Sequence, residues 1–374
     1  MLEPRHLPWR VRLIDAIARR TGDSVTAMDH DAIEAARGHV RPPRPPVSWV
    51  TGAVLPSVRI DARTATVDDA DRLGGGGPPG DPERPSDPGR PDEETRPRGS
   101  REIGIRRYRP RRHLRARLPT PDALPMVVFF HGGGWAMGSV SGYDPLCSYL
   151  ADSLSALVAS VDYRLAPHHP APAAADDALA ATLWLWEHAA EVGGDPDRMA
   201  VCGDSAGGNL ATVVAQALRD RAESGAGTAG TAGAAGPRLR HQALIYPSVD
   251  STRLTPSKMA RARGPIMTRS DTDTYLAHYL GLGEGALSAY DIRVSPALGR
   301  LDGLPPTLIQ SAEFDPLRDE AIAYGEALEA AGVPVVSTTY AGAVHGFASF
   351  PAGAPGGFRH RAELTREIGR YLLA

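Results

Sequence analysis

The sequence predicts an α/β fold, in which a mostly parallel central sheet carries helices on both faces. Beyond residue 101, short apolar runs alternate regularly with segments of helical periodicity, as crossover connections between parallel strands require. The chain has 374 residues, 42% of them hydrophobic, which is ample for a large core. Its most reactive-looking residues, Ser205, Asp315 and His345, each fall just past the end of an apolar run. Open parallel sheets place ligands and chemistry beyond their strand C-termini.

Taken in order, residues 8–38 carry apolar side chains at helical spacing (Trp9, Leu13 and Ile17, then a second set from Met28), and Pro42, Pro43, Pro45 and Pro46 end the pattern. Val54 to Val67 reads as a poorly defined, strand-forming stretch. Residues 73–100, rich in Gly, Pro and charge without apolar periodicity, are expected to be a disordered surface insertion. The stretch from Arg101 to Arg117 holds eight arginines with apolar residues interleaved, and we expect a solvated hairpin face there. Strands are then predicted near 126–130, 156–161, 199–202, 242–246, 306–311 and 333–340. Helices are predicted near 144–153, 174–191, 206–221, 318–331 and 360–373. An Ala/Gly/Thr tract near 222–236 reads as a low-complexity loop.

Gly203-Asp204-Ser205-Ala206-Gly207 is the only G-x-S-x-G in the chain, and it lies between a strand-like and a helical segment. A serine at such a turn is held in a strained conformation with its hydroxyl clear of its neighbours. Glycines on either side let the chain turn that tightly. The helix N-terminus beside it favours developing negative charge. Upstream, His131-Gly132-Gly133-Gly134-Trp135 follows the apolar run Met126 to Phe130. Its glycines leave backbone N–H groups unshielded, as an oxyanion hole requires. Downstream come Asp315, after the run Thr307 to Ser311, and His345, after Val335 to Tyr340, in the chain order serine, acid, histidine.

Together these motifs resemble the bacterial hormone-sensitive-lipase family of α/β-hydrolase carboxylesterases. The likeness rests on His131 to Trp135, Asp162-Tyr163-Arg164-Leu165-Ala166-Pro167, Gly203 to Asn209, Asp315-Pro316-Leu317-Arg318-Asp319 and His345-Gly346-Phe347. It runs from about residue 120 to the C-terminus. The chain departs from the family at His168-His169, where Glu-His is usual. The resemblance implies an α/β-hydrolase fold with a helical cap, in which 1–50 would supply N-terminal cap helices. Residues 51–374 would form the catalytic domain, with a second cap segment near 252–290. It also implies Ser205 as nucleophile, His345 as general base and Asp315 as the triad acid, with Asp204 and Asp319 as other carboxylates nearby. The Gly133, Gly134 and Ala206 N–H groups would bind the oxyanion, with His131 and Gly132 completing the motif and His131 orienting the loop.

The expected activity is hydrolysis of short- to medium-chain acyl esters through an acyl-enzyme, with no metal or organic cofactor needed for any step. An amidase, lactonase or deacetylase would use the same residues, because function lives in the site and not the fold. A non-catalytic receptor is the third reading. The plant gibberellin receptor resembles this family but lacks its catalytic histidine, whereas His345 stands here in an intact motif.

Other chemistries find little support. The net charge of −3 gives no electrostatic case for nucleic acid. The G-x-G-x-x-G at Gly225 to Gly230 follows a helix instead of a strand, and Gly74 to Gly77 lacks the Lys of a phosphate loop. No histidine pair has zinc spacing. The single lysine, Lys258, has Thr255 at the S-x-x-K position, which closes a penicillin-binding-type route, and its rarity reads as coding bias. Cys147 and Cys202 read as buried thiols. The N-terminus lacks a signal-peptide core and no run is long enough to span a membrane, so a cytoplasmic location is expected. A small-molecule ester is the expected partner, and an oligomeric state is not legible.

Overall fold

The computed structural model describes residues 57–68, 100–111, 123–225, 236–261, 265–281, 285–351 and 357–374, with the isolated positions 12, 73, 283 and 355. The N-terminal cap helices, nearly all of the 73–100 insertion and most of the 222–236 loop lie outside the described residues. The strands are β1 (Val58–Asp68), β2 (Ser100–Pro110), β3 (Leu124–Phe130), β4 (Leu157–Asp162), β5 (Gly194–Asp204), β6 (Leu239–Ile245), β7 (Thr307–Phe314) and β8 (Val335–Val344). The helices are α1 (Asp144–Leu154), α2 (Ala173–Glu187), α3 (Ala189–Val192), α4 (Ala206–Ser224), α5 (Pro256–Ala260), α6 (Arg269–Leu280), α7 (Arg318–Ala330) and α8 (Gly357–Leu372).

The strands form one sheet in the order β1-β2-β4-β3-β5-β6-β7-β8. Strand β2 pairs antiparallel with both its neighbours, and every pairing from β4 to β8 is parallel. The alternation of β3 explains why its sequence is apolar throughout. Met126, Val128 and Phe130 belong to one core layer with Leu179, Leu183, Leu210 and Val214 of α2 and α4. Val127 and Phe129 belong to the other, with Leu146 and Leu150 of α1 and Leu364 and Ile368 of α8. A strand covered on both faces has no polar side to show. Each such side chain, fully buried, contributes about 1.5–3 kcal/mol.

Three local expectations are revised. The helix expected over 174–191 breaks at His188, which leaves helical geometry at φ −100° and ψ 22° and stacks its ring on Trp184 at 4.4 Å. Strand β5 is longer than the apolar core 199–202, because the polar residues before it still pair with β3 at Leu124–Gly194. The arginines of β2 are not a solvated face. Strand β2 is interior to the sheet; Arg107 is 4% exposed and pairs with Asp61 at 2.7 Å, while Arg106 grips Asp144 through two 2.7 Å bonds. Ile103 and Ile105 enter the core, while Arg101, Arg106 and Arg107 each meet a carboxylate, Asp177, Asp144 and Asp61.

Both cysteines are free and buried. Among the described residues no helix is long and apolar enough to cross a membrane, and no cluster of His, Cys, Asp or Glu is arranged to hold a metal.

Candidate active site

Parallel pairing brings the C-terminal ends of β3, β5, β6, β7 and β8 to one edge of the sheet, and the loops that leave that edge carry the candidate residues. Ser205 lies between β5 and α4 with φ 54° and ψ −118°, a backbone conformation that side chains rarely adopt. Hydrogen bonds on both sides hold it there: its N–H donates to the Ile245 carbonyl at 2.9 Å, and its own carbonyl accepts from Asn209 and Ser248 at 3.1 and 3.2 Å. The flanking glycines are sterically required. A Cβ on Gly203 would lie 2.2 Å from the Gly207 carbonyl oxygen, and one on Gly207 would lie 2.0 Å from that of Phe130.

His345 follows β8, and its Nε2 stands 2.9 Å from Ser205 Oγ. Its Nδ1 stands 2.8 Å from Asp315 Oδ2. Asp315, fully buried after β7, accepts the Leu317 N–H at 2.8 Å through its other oxygen. A carboxylate only accepts, so the Asp315 contact assigns the proton to Nδ1 and leaves Nε2 to accept from the serine. Tyr246 backs the imidazole, with ring centroids 4.6 Å apart. Ser205 keeps 9% exposure and His345 8%, so both remain at the surface of the site.

The glycine loop lies beside this relay. Gly133 and Gly134 have φ of 122° and 59°, and Gly133 closes a turn by accepting from Met137 N–H at 2.8 Å. The Gly132 N–H is already engaged, donating to Asp204 Oδ1 at 2.8 Å. Among the described residues, the N–H groups of Gly133, Gly134 and Ala206 have no acceptor. His131 is buried; its Nδ1 lies 2.9 Å from the Gly132 carbonyl, its ring stacks on Tyr163 at 4.4 Å, and its own carbonyl accepts from the Tyr163 hydroxyl at 2.6 Å. Burial lowers its pKa to about 4, so it is neutral at pH 7 and packs the loop.

Sequence reasoning singled out Asp204 only as a nearby carboxylate and overlooked its partners. It is buried and accepts from the Gly132 N–H, from the Tyr143 hydroxyl at 2.9 Å and from the Tyr246 hydroxyl at 3.2 Å. Desolvation raises its pKa to about 6, against the pull of those donors. The two tyrosines come from distant parts of the chain, with no motif to announce them. Tyr275 of α6 was overlooked as well. Its ring lies so close over Gly134 that a Cβ there would come within 2.2 Å of it. One helical turn on, Tyr279 stacks on Trp135 at 4.3 Å and an interplanar angle of 5°. Helix α6 therefore rests directly on the glycine loop. Asp319, the other carboxylate singled out, is engaged elsewhere: it pairs with Arg318 at 2.8 Å and accepts the Ser257 N–H at 2.7 Å.

Known proteins agree with this architecture. A family model described as the alpha/beta hydrolase fold matches residues 127–349. The carboxylesterase NlhH of Mycobacterium tuberculosis is 36% identical over 95% of this chain and 96% of its own length. The carboxylic ester hydrolase LipN of the same organism is 43% identical over 66% of this chain and 61% of its own. Among solved structures, an ester hydrolase from the metagenome of Lake Arreo superposes with a TM-score of 0.72 at 30% identity, covering all of both chains. A Pyrobaculum calidifontis esterase gives 0.73 at 29%, covering 97% of this chain and 99% of its own. The chain thus belongs to the α/β-hydrolase fold family, in the hormone-sensitive-lipase-like branch whose matched members are named carboxylesterases and esterases.

Proposed function

We propose that this protein is a serine carboxylester hydrolase that cleaves short- to medium-chain acyl esters through an acyl-enzyme at Ser205. The observation that carries the reading is the unbroken relay Ser205–His345–Asp315, at 2.9 and 2.8 Å, beside three N–H groups that have no acceptor among the described residues. Ser205 Oγ attacks the ester carbonyl carbon as its proton passes to His345 Nε2. The carbonyl oxygen becomes an oxyanion, stabilised by the N–H groups of Gly133, Gly134 and Ala206; each such donor is typically worth ~2.7–4 kcal/mol. Asp315 holds the imidazole in the required tautomer and stabilises the imidazolium. The tetrahedral intermediate collapses, the C–O bond to the alcohol breaks, and His345 returns the proton to the departing alkoxide. Water then gives a proton to His345 and attacks the acyl carbon; the bond from that carbon to Ser205 Oγ breaks, His345 returns the proton to Oγ, and the carboxylic acid leaves.

The segment 252–290 is assigned to the cap, supported by the seating of Tyr275 and Tyr279 on Gly134 and Trp135. Names and relatives favour esters over amides and lactones, and substrates decide the matter. Purified protein assayed with aryl esters of acetyl, butyryl, hexanoyl and octanoyl chains, with an acyl anilide as control, is expected to hydrolyse the shorter esters well and the anilide poorly. Anilide turnover above that of every ester would reject the assignment in favour of an amidase.

A further inference from the structure

Forty of the 41 basic residues in this chain are arginines, and the one lysine is partly buried. Lys258 sits on the short helix α5 with its side chain 12% exposed. Its ammonium lies 2.6 Å from Glu320 Oε2 and donates to the carbonyls of Asp250 at 2.9 Å and Arg253 at 3.1 Å. Three oxygens reached from three directions suit the tetrahedral donors of an ammonium; a planar guanidinium presents its donors in one fork. Glu320, in the first turn of α7, is buried, and its other oxygen accepts the N–H groups of Val249 and Asp250 at 2.9 and 3.3 Å. Burial pushes the Glu320 carboxyl above the ordinary range, and Lys258 is the strongest influence against that rise.

The neighbouring residue extends the connection to the site. Ser257 Oγ donates to the carbonyl of Pro316 at 2.7 Å, and Ser257 N–H donates to Asp319 at 2.7 Å. Asp319 N–H returns a bond to Ser257 Oγ at 3.2 Å. Pro316 directly follows Asp315, so helix α5 is fastened to the turn that leaves the acid, at Pro316, Asp319 and Glu320.

We infer that Lys258, together with Ser257, is a positioning residue for the triad, locking helix α5 onto the turn that carries Asp315 and so fixing the acid behind the histidine. The inference rests on reading Asp315 as the triad acid. A 1 Å misplacement of a catalytic group costs up to about a hundredfold in rate, and the brace bonds to the residues after Asp315, at Pro316, Asp319 and Glu320.

A double-mutant cycle on turnover tests it. Ser257→Ala removes one hydroxyl. Lys258→Met combined with Glu320→Gln removes the ion pair without leaving a buried charge alone. Each is made in the wild-type protein and in Asp315→Ala, and kcat is expressed per folded protein, measured by circular dichroism and thermal unfolding, so that loss of folded protein drops out. Both variants are expected to lower kcat about tenfold in the wild-type background with KM little changed, and to cause no further loss once Asp315 is gone. Unchanged kcat per folded protein, or the same loss in both backgrounds, would overturn the brace. Should the ion-pair variant fail to fold, Ser257→Ala alone carries the test. Asp315→Ala retaining wild-type turnover would instead overturn the triad reading beneath it, a failure distinguishable from that of the brace.

Discussion

Asp204 accepts the Gly132 N–H at 2.8 Å, so the residue before the proposed nucleophile holds the loop that carries the proposed oxyanion donors. The bond joins the ends of β5 and β3, which are adjacent in the sheet. The elbow and the glycine loop are thereby set at a fixed separation by one carboxylate, with Tyr143 and Tyr246 completing its shell.

Asp204→Ala is accordingly expected to lower kcat about a hundredfold, with a smaller effect on KM, because the glycine donors lose their register with Ser205. Asp204→Asn, which keeps an acceptor, is expected to be milder. Steady-state kinetics with a short aryl ester, alongside thermal unfolding, check this; an Asp204→Ala protein with wild-type kcat would dismiss the role.

Glycine at 134 is required twice over, by φ 59° and by the ring of Tyr275. Gly134→Ala is expected to reduce kcat/KM by at least about a hundredfold, the scale of losing one oxyanion donor. Pairing it with Tyr275→Ala relieves the clash but not the backbone strain, so recovery is expected to be partial. Complete recovery in the double variant would show that the steric contact alone matters.

Stability is expected to fall on acidification. Burial lowers the pKa of His131 and His241 to about 4 and of His360 to about 3, against an ordinary value near 6.5. Between these limits the unfolded chain binds more protons than the folded one, so stability rises with pH from about 4 to 6.5. Asp204 works in the opposite sense. With its folded pKa raised to about 6, the native state holds its proton where the unfolded chain has lost it, so this term weakens stability as pH rises from about 4 to 6. Burial raises the carboxyls of Asp162, Asp176 and Glu320 as well, so these act with Asp204 in the lower part of the range, and the histidine contribution stands clear from about pH 6 upward. Thermal midpoints measured from pH 6 to 8 should climb and then level off, and His360→Gln should flatten the rise. A midpoint that falls steadily from pH 6 to 8 would contradict the assignment.

Much of this architecture was legible because parallel strands and their turns leave strong local marks. The β3 run Met126 to Phe130 and the glycines around Ser205 declare their geometry in a few adjacent residues, and the order Ser205, Asp315, His345 follows from a sheet that gathers strand ends along one edge. What sequence left hidden depends on contacts between distant positions. Strand β2 mixes arginines with apolar residues, and only its place between β1 and β4 reveals that Arg107 is buried against Asp61. The shell of Asp204 draws on residues 61 and 42 positions away, and Lys258 meets Glu320 across two separate elements. A lone lysine among arginines looked like codon usage until its three oxygen partners were in view.

The two carboxylates of the Asp315 turn separate cleanly. Asp315→Asn is expected to lower turnover by about 10⁴-fold with the fold intact, because the amide no longer enforces the imidazole tautomer. Asp319→Asn keeps an acceptor for the Ser257 N–H and is expected to cost far less. The comparison is read from kcat on one ester; reversed magnitudes would move the triad acid to Asp319.

The central claim is that Ser205 is the nucleophile, and the most direct measurement is turnover of an aryl ester by Ser205→Ala. Its side chain contributes little packing, so the variant is expected to unfold at nearly the wild-type temperature. Turnover is expected to fall on the order of 10⁶-fold if the three residues act as a unit. A folded Ser205→Ala protein hydrolysing the ester within about tenfold of the wild-type rate would contradict the mechanism at its root.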